Sequence, residues 1–235
     1  MKGAPHMTIN PIAPVSHLYI LIDRSGSMSS IVNDVIGGFN ELIANQGRDG
    51  SDARVTLVQF DSQDPQDVIV AGANISEICN LDGHSYIPRG GTPLLDATGL
   101  LIGRGRVEQA SRAATGLPKE NIVFVTITDG EENQSHEYDL DRIRTLVKEC
   151  EDDHDWTFVF LSAGLDAYAE AGRVGVSVGS SQSFSHSSVG TVLAFKSLDT
   201  NLKNFRDKKR RHETTDKHKF FESKEAEDQR NEDEN

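Results

Sequence analysis

Residues 18–28 read LYILIDRSGSM, an apolar run that ends in one aspartate and two serines at alternate positions. Asp23, Ser25 and Ser27 supply one carboxylate and two hydroxyl groups on the loop that leaves a predicted strand. Such oxygen ligands suit a hard cation such as Mg²⁺, which binds oxygens at about 2.0–2.1 Å in an octahedron. Gly26 allows the backbone to curl so that both hydroxyls face one point. Asp, Ser and Gly are also ordinary turn residues, so this segment alone is equally compatible with a polar turn.

Two further segments favour the metal interpretation. The run GGTPLLDA places Thr92 after two glycines, at the start of an apolar, helix-like segment. The run NIVFVTITDG, residues 121–130, is a second continuous apolar strand, and it ends in Asp129 and a glycine. Together the three segments form a discontinuous set of five oxygen-bearing side chains. Three separate segments in this order are far more specific than any one of them.

This pattern resembles the von Willebrand factor A domain family and its metal-ion-dependent adhesion site. The resemblance covers roughly residues 14–206, and it implies one bound Mg²⁺, or Mn²⁺ or Ca²⁺ in its place, held partly through water. It also implies an open position on the ion that accepts an acidic side chain from a partner protein. The motif positions implied as metal ligands are all filled in this sequence, by Asp23, Ser25, Ser27, Thr92 and Asp129.

One residue inside the motif departs from the pattern of the family. Arg24 stands where many relatives have a small residue. A cation at this position could pair with a neighbouring acid or with the partner's carboxylate. Glu131 and Glu132 follow the last motif aspartate, and we interpret them as helix-capping acids in preference to groups that contact metal-bound water.

Apolar strands alternate with amphipathic helices along the sequence, and these elements must position the residues named above. The alternation predicts a parallel sheet covered on both faces. The predicted fold class is α/β: a doubly wound, mostly parallel, six-stranded sheet with one antiparallel edge strand, the Rossmann-like arrangement of the resembled family. Ligands of such sheets bind at the carboxyl ends of the strands, where Asp23 and Asp129 both lie. The predicted strands are 18–23, 54–60, 67–70, 122–128, 156–162 and 174–178, and the predicted helices are 32–43, 94–114, 138–151, 167–172 and 189–205.

Length predicts one domain of about 200 residues flanked by tails. The predicted division of the 235 residues is an N-terminal tail at 1–13, the domain at 14–206, and a charged tail at 207–235 that is disordered or helical. The first segment contains Gly-Ala-Pro-His before Met7, which is compatible with a remnant of cloning. Alternatively, the last segment is a docking element for a partner or an acidic surface, because a basic run precedes Phe220 and Phe221.

Composition indicates a cytoplasmic protein, expected to be monomeric in isolation. The net charge of −13 argues against a nucleic-acid-binding surface, which requires clustered Lys and Arg. No stretch approaches the roughly 20 apolar residues that cross a bilayer, and the first residues lack the apolar core of a signal peptide. The two cysteines, Cys79 and Cys150, have no metal-ligand spacing and favour a reduced protein.

The expected function is that of a binding module, an adaptor or scaffold without catalytic residues. The resemblance to stand-alone intracellular members of the family, of the bacterial type, also suggests a regulatory subunit of an ATPase, chaperone-like or stress-response complex. A Mg²⁺-dependent hydrolase is the competing class, but aspartyl phosphatases need a second Asp where this chain has Ser25. No P-loop occurs. The one Gly-x-Ser-x-Gly match, at residues 175–179, overlaps a predicted strand and does not lie on the turn from a strand to a helix that a nucleophile elbow requires. Four of the eight histidines show no paired spacing and are interpreted as surface residues: His84, His136, His154 and His186.

Overall fold

Strands and helices alternate along the part of the chain that the structure, a computed structural model, describes: residues 15–164 and 166–222. The strands are β1 (Ser16–Asp23), β2 (Ala53–Asp61), β3 (Asp64–Asn74), β4 (Asn121–Thr128), β5 (Thr157–Ser162) and β6 (Ser181–Ser183). The helices are α1 (Val32–Asp49), α2 (Leu94–Ala114), α3 (Leu140–His154), α4 (Ala167–Val174) and α5 (Ser188–Arg210). A 3-10 helix at Gly26–Ile31 leads into α1.

The strands form one six-stranded sheet in the order β3-β2-β1-β4-β5-β6. β1 pairs in parallel with both β2 and β4, and the sheet continues in parallel through β5 to β6. β3 alone runs antiparallel, joined to β2 as the edge hairpin. The fold class predicted from the sequence is confirmed. The order of strands reverses between β1 and β4, so their carboxyl ends flank the topological switch point.

Helices cover both faces of the sheet, which explains why β1 is buried at every position. One core cluster joins the sheet to α1 and α5 through residues such as Phe39 and Leu198. The other joins it to α2 and α3 through residues such as Leu101 and Val147. Successive strand side chains point to opposite faces, so a strand between two helical layers reads as a continuous apolar run. None of the helices in the described ranges is long and apolar enough to span a membrane.

The last strand of the sheet differs from its predicted position. The sequence predicted an edge strand at 174–178, whereas β6 lies at Ser181–Ser183. Val174 still belongs to α4, and Gly175 ends that helix with a φ of +95°. The short polar sequence Ser-Gln-Ser of β6 has a low strand propensity. It forms a strand because it pairs in parallel with β5.

Residues 207–222 pack more closely than the solvated, disordered or helical tail that the sequence predicted. α5 continues to Arg210, and the chain then folds back so that Phe220 and Phe221 are buried beside Phe205. A salt bridge of 2.6 Å from Lys208 to Glu222 holds the returning segment against α5. Burial of two aromatic side chains explains why this segment packs despite its many charges. The predicted N-terminal tail and residues 223–235 lie outside the described residues.

Candidate metal centre

The carboxylate of Asp23 ends β1 at the centre of the sheet and is fully buried. Its Oδ1 accepts the backbone N–H of Ser25 at 2.7 Å, and its Oδ2 accepts the hydroxyl of Thr128 at 2.7 Å. The phenol of Tyr86 donates to the Asp23 carbonyl oxygen at 2.6 Å. These contacts fix the carboxylate from both sides, and they place it where the loop to α1 begins.

The two motif serines lie beside the aspartate that ends β4. The hydroxyl oxygens of Ser25 and Ser27 are 3.0 Å apart. Ser27 also donates to Oδ1 of Asp129 at 2.7 Å. The neighbouring carboxyl ends of β1 and β4 therefore bring three of the predicted ligands into direct contact, although they come from distant parts of the sequence.

Thr92 reaches the same place from the loop before α2. The Gly26 N–H donates to the Gly90 carbonyl oxygen at 3.0 Å, which ties this loop to the serine loop. A Cβ atom added at Gly130 would lie 3.3 Å from Thr92 Oγ1 and 3.7 Å from Ser27 Oγ. Both hydroxyls thus face the space in front of Gly130. The structure brings all five predicted ligands to one edge of the sheet, and their role in metal binding remains a prediction.

The electrostatics of this edge favour a bound cation. Burial raises the pKa of Asp23 to about 7, and hydrogen bonds from Thr128 and Ser25 offset only part of this effect. Burial also raises the pKa of Asp129, against the hydrogen bond from Ser27. Among the described residues, Oδ2 of Asp129 is buried without a hydrogen-bond partner. Two carboxylates, one of which has the unsatisfied oxygen, and three hydroxyls are the kind of donors that a hard divalent cation prefers.

The side chain of Arg24 points away from these ligands, toward β2 and β3. Its Nε lies 2.5 Å from Oδ2 of Asp61, and its Nη1 lies 2.5 Å from Oδ2 of Asp67. Arg89, from the loop before Thr92, also pairs with Asp61 at 2.9 Å. The structure thereby decides between the two partners that the sequence left open for Arg24: it pairs with neighbouring acids.

Two acidic side chains, Glu132 and Asp96, organise the loop that follows Asp129. Glu132 accepts the backbone N–H of Leu95 at 2.9 Å and therefore caps the start of α2. Asp96, in the first turn of that helix, accepts the backbone N–H groups of three consecutive residues, 136–138. These contacts agree with the interpretation of Glu132 as a capping acid, although the helix that it caps precedes it in the chain.

Sequence reasoning missed two residues at this edge. His186, between β6 and α5, places its Nε2 3.3 Å from Oδ2 of Asp129. Glu170, on α4, accepts the Ser162 hydroxyl at 3.1 Å, and burial raises the pKa of this carboxyl to about 7. Neither residue belongs to a recognisable motif, because each arrives through an element whose path over the sheet is a tertiary property.

A second group that could hold a metal lies at the opposite, amino-terminal edge of the sheet. Ligand atoms of His17, Glu108 and Glu120 lie within 4.8 Å of one another. Arg54 pairs with both glutamates at 2.8 Å, and Arg112 pairs with Glu120 at 3.2 Å. Burial raises the pKa of Glu120, but hydrogen bonds from His17 and Arg54 outweigh it and lower the pKa to about 2. Because arginines already neutralise the carboxylates, this group is an ion-pair network.

Comparisons with known proteins address the fold. No protein-family model matches the sequence, and no curated protein matches it. Among solved structures, proximal thread matrix protein 1 of the mussel byssus is similar with a TM-score of 0.53. The match has 16% identity over 80% of this chain and 48% of that one. This chain therefore spans about half the length of the mussel protein.

Two further solved structures are similar over most of their own length. The manganese-loaded TRAP protein of Plasmodium vivax gives a TM-score of 0.52 at 15% identity, over 80% of this chain and 74% of that one. The SpRpn10 VWA domain gives a TM-score of 0.50 at 16% identity, over 77% of this chain and 95% of that one. At these identities the likeness concerns the fold. The chain has the fold of von Willebrand factor A domains.

Proposed function

We propose that this chain is a metal-dependent protein-binding module, an adaptor whose bound divalent cation accepts an acidic side chain from a partner protein. The observation that carries the proposal is the buried Oδ2 of Asp129, which has no hydrogen-bond partner among the described residues. A buried carboxylate oxygen that accepts no hydrogen bond costs free energy unless a cation compensates it. Its neighbours within the predicted set are hydroxyl oxygens and a second buried carboxylate.

The predicted ligands also favour recognition of an external carboxylate. Ser25, Ser27 and Thr92 contribute neutral hydroxyl oxygens, so they leave most of the charge of a divalent ion uncompensated. Asp23 keeps its two oxygens in hydrogen bonds with Ser25 and Thr128, an arrangement suited to holding water on the ion. When bound, the cation supplies a Lewis-acidic position at which a carboxylate replaces water. The five predicted ligands by themselves suit Mg²⁺ or Mn²⁺, since all of their donor atoms are oxygens.

The site favours binding over catalysis. The aspartyl phosphatases considered above need an aspartate two residues after the first, and that position is Ser25, whose hydroxyl contacts Ser27. The fold supports the same choice by analogy only, because one fold hosts many functions.

A capture experiment tests the proposal. The full chain is immobilised and exposed to extract in Mg²⁺ or in chelator, beside Asp129→Ala and the surface control Asp153→Ala. We expect the wild type and Asp153→Ala to retain partner proteins in Mg²⁺ and to lose them in chelator. Asp129→Ala should not retain these partners in either condition. Titration calorimetry with the metal alone is run on the same samples. Partners that all persist in chelator, or a wild type that binds no divalent ion, would overturn the proposal.

A further inference from the structure

The loop between β6 and α5 crosses the carboxyl edge of the sheet. α5 packs beside α1, so the chain must pass from the β6 edge over the ends of β5 and β4. The loop is held at both ends: the Phe184 N–H donates to the Ser162 carbonyl oxygen at 3.1 Å, and Ser187 caps α5 through the Gly190 N–H at 3.1 Å. Ser188 then donates to Asp34 of α1 at 2.6 Å. His186 therefore sits in a short segment whose position is set by its neighbours.

The imidazole of His186 faces the unsatisfied side of Asp129. Its Nε2 lies 3.3 Å from Asp129 Oδ2 and 3.2 Å from the hydroxyl oxygen of Ser30. That Oδ2 atom has no hydrogen-bond partner among the described residues, so a neutral imidazole at this distance leaves it unsatisfied, whereas a protonated one would form an ion pair with it. In an octahedral complex with bonds of about 2.1 Å, adjacent ligand atoms are about 3 Å apart. The separation between Nε2 and Oδ2 fits two neighbouring ligands of one ion, as does the 3.0 Å separation of the Ser25 and Ser27 oxygens.

We propose that His186 is an additional ligand of the cation, through Nε2, and that the site consequently selects transition-metal ions over Mg²⁺. This inference rests on the proposed function and deepens it. Carboxylate and hydroxyl oxygens alone suit Mg²⁺ and Ca²⁺, whereas an imidazole nitrogen raises affinity along the series from Mn²⁺ through Co²⁺ to Ni²⁺. A ligand from the β6–α5 loop also links the ion to the start of α5. The ion then joins three loops of the motif to this fourth one.

Electron spin-echo envelope modulation of the Mn²⁺-loaded, untagged full chain tests directly whether His186 is a ligand. A coordinated imidazole couples its ¹⁴N nucleus to the Mn²⁺ electron spin, so we expect ¹⁴N modulation that disappears when the chain carries [¹⁵N]histidine. The same signal should vanish in His186→Ala and persist in His136→Ala, an exposed histidine of the loop after β4. Mn²⁺ bound to the wild type without ¹⁴N modulation would overturn the inference and leave the proposed function intact.

Competition between Co²⁺ and Mg²⁺ provides a second, independent measurement. We expect His186→Ala to weaken Co²⁺ binding by about 10-fold or more, a loss of the size seen when residues that support a metal site are mutated. Mg²⁺ binding should weaken by less than about 3-fold. His136→Ala should change neither affinity. Equal losses for both ions would show a merely structural role and contradict the inference. A wild type that binds neither Co²⁺ nor Mg²⁺ would overturn the inference together with the proposed function.

Discussion

The hydroxyl of Ser27 donates a 2.7 Å hydrogen bond to Oδ1 of Asp129, across 102 residues of sequence. This bond connects the loop after β1 with the end of β4, the two strands that flank the switch point of the sheet. It satisfies one oxygen of the carboxylate and leaves the other, Oδ2, buried without a hydrogen bond among the described residues.

A divalent cation should stabilise the chain at neutral pH. At 100 times its dissociation constant a ligand adds about 2.7 kcal/mol to the free energy of unfolding, which raises the melting temperature of a domain of this size by about 5–10 °C. We expect this shift with Mn²⁺ in the wild type and in the control Asp153→Ala, measured by scanning calorimetry. Asp129→Ala should show no shift. An equal shift in Asp129→Ala would place the metal elsewhere.

Replacement of Arg24 should reduce stability and leave metal affinity within about 3-fold. Arg24→Ala leaves Asp61 buried with one cation fewer, and breaking a buried ion pair costs about 3 kcal/mol. Arg24→Lys should restore little, because an ammonium cannot contact Asp61 and Asp67 as the guanidinium does. Urea unfolding measures the loss, with the exposed Arg104→Ala on α2 as control. Unchanged stability with lost metal binding would show that Arg24 acts at the metal centre.

Stability should fall between about pH 4 and pH 2 through Asp52. Burial raises the pKa of this carboxyl, but hydrogen bonds from Arg210 and Arg206 outweigh it and lower the pKa to about 2. Because the pKa is lower in the folded state, the unfolded chain binds the proton more readily in this range. The contribution of Asp52 to stability is therefore present above about pH 4 and is lost as the pH falls toward 2. The midpoint of urea unfolding, followed against pH, should therefore fall less steeply for Asp52→Asn than for the wild type. Parallel curves would contradict the assignment.

Two glycines of α2 should respond to alanine in opposite directions. A Cβ at Gly103 meets nothing within 4 Å, so Gly103→Ala should stabilise the helix by up to about 1 kcal/mol. A Cβ at Gly105 would lie 2.6 Å from Cη2 of the buried Trp156, so Gly105→Ala should cost about 1–3 kcal/mol. The difference between their urea midpoints is the measurement. A stabilising Gly105→Ala would show that Trp156 can move.

The glycines of α2 also show where sequence reasoning stops. The sequence predicted a helix over 94–114, a segment with several glycines, and the structure contains one unbroken helix with those bounds. Two of the glycines have a packing reason, because Gly99 and Gly105 lie close to the rings of Tyr138 and Trp156, and helix propensity takes no account of such contacts. In the same way, the strand at 181–183 was not predicted, because its place in the sheet depends on pairing with β5 and not on the local sequence.

The order of strands and helices, and the oxygen-bearing residues at strand ends, could be predicted from the sequence alone. Apolar runs between amphipathic helices require a covered parallel sheet, and such a sheet brings the ends of β1 and β4 together. Other features depend on side-chain direction and on chain paths, which no local pattern encodes. The tertiary structure alone decided that Arg24 turns toward Asp61, that Phe221 is buried, and that the loop before α5 carries His186 to Asp129. Long-range packing determines these contacts, since each joins residues far apart in the chain.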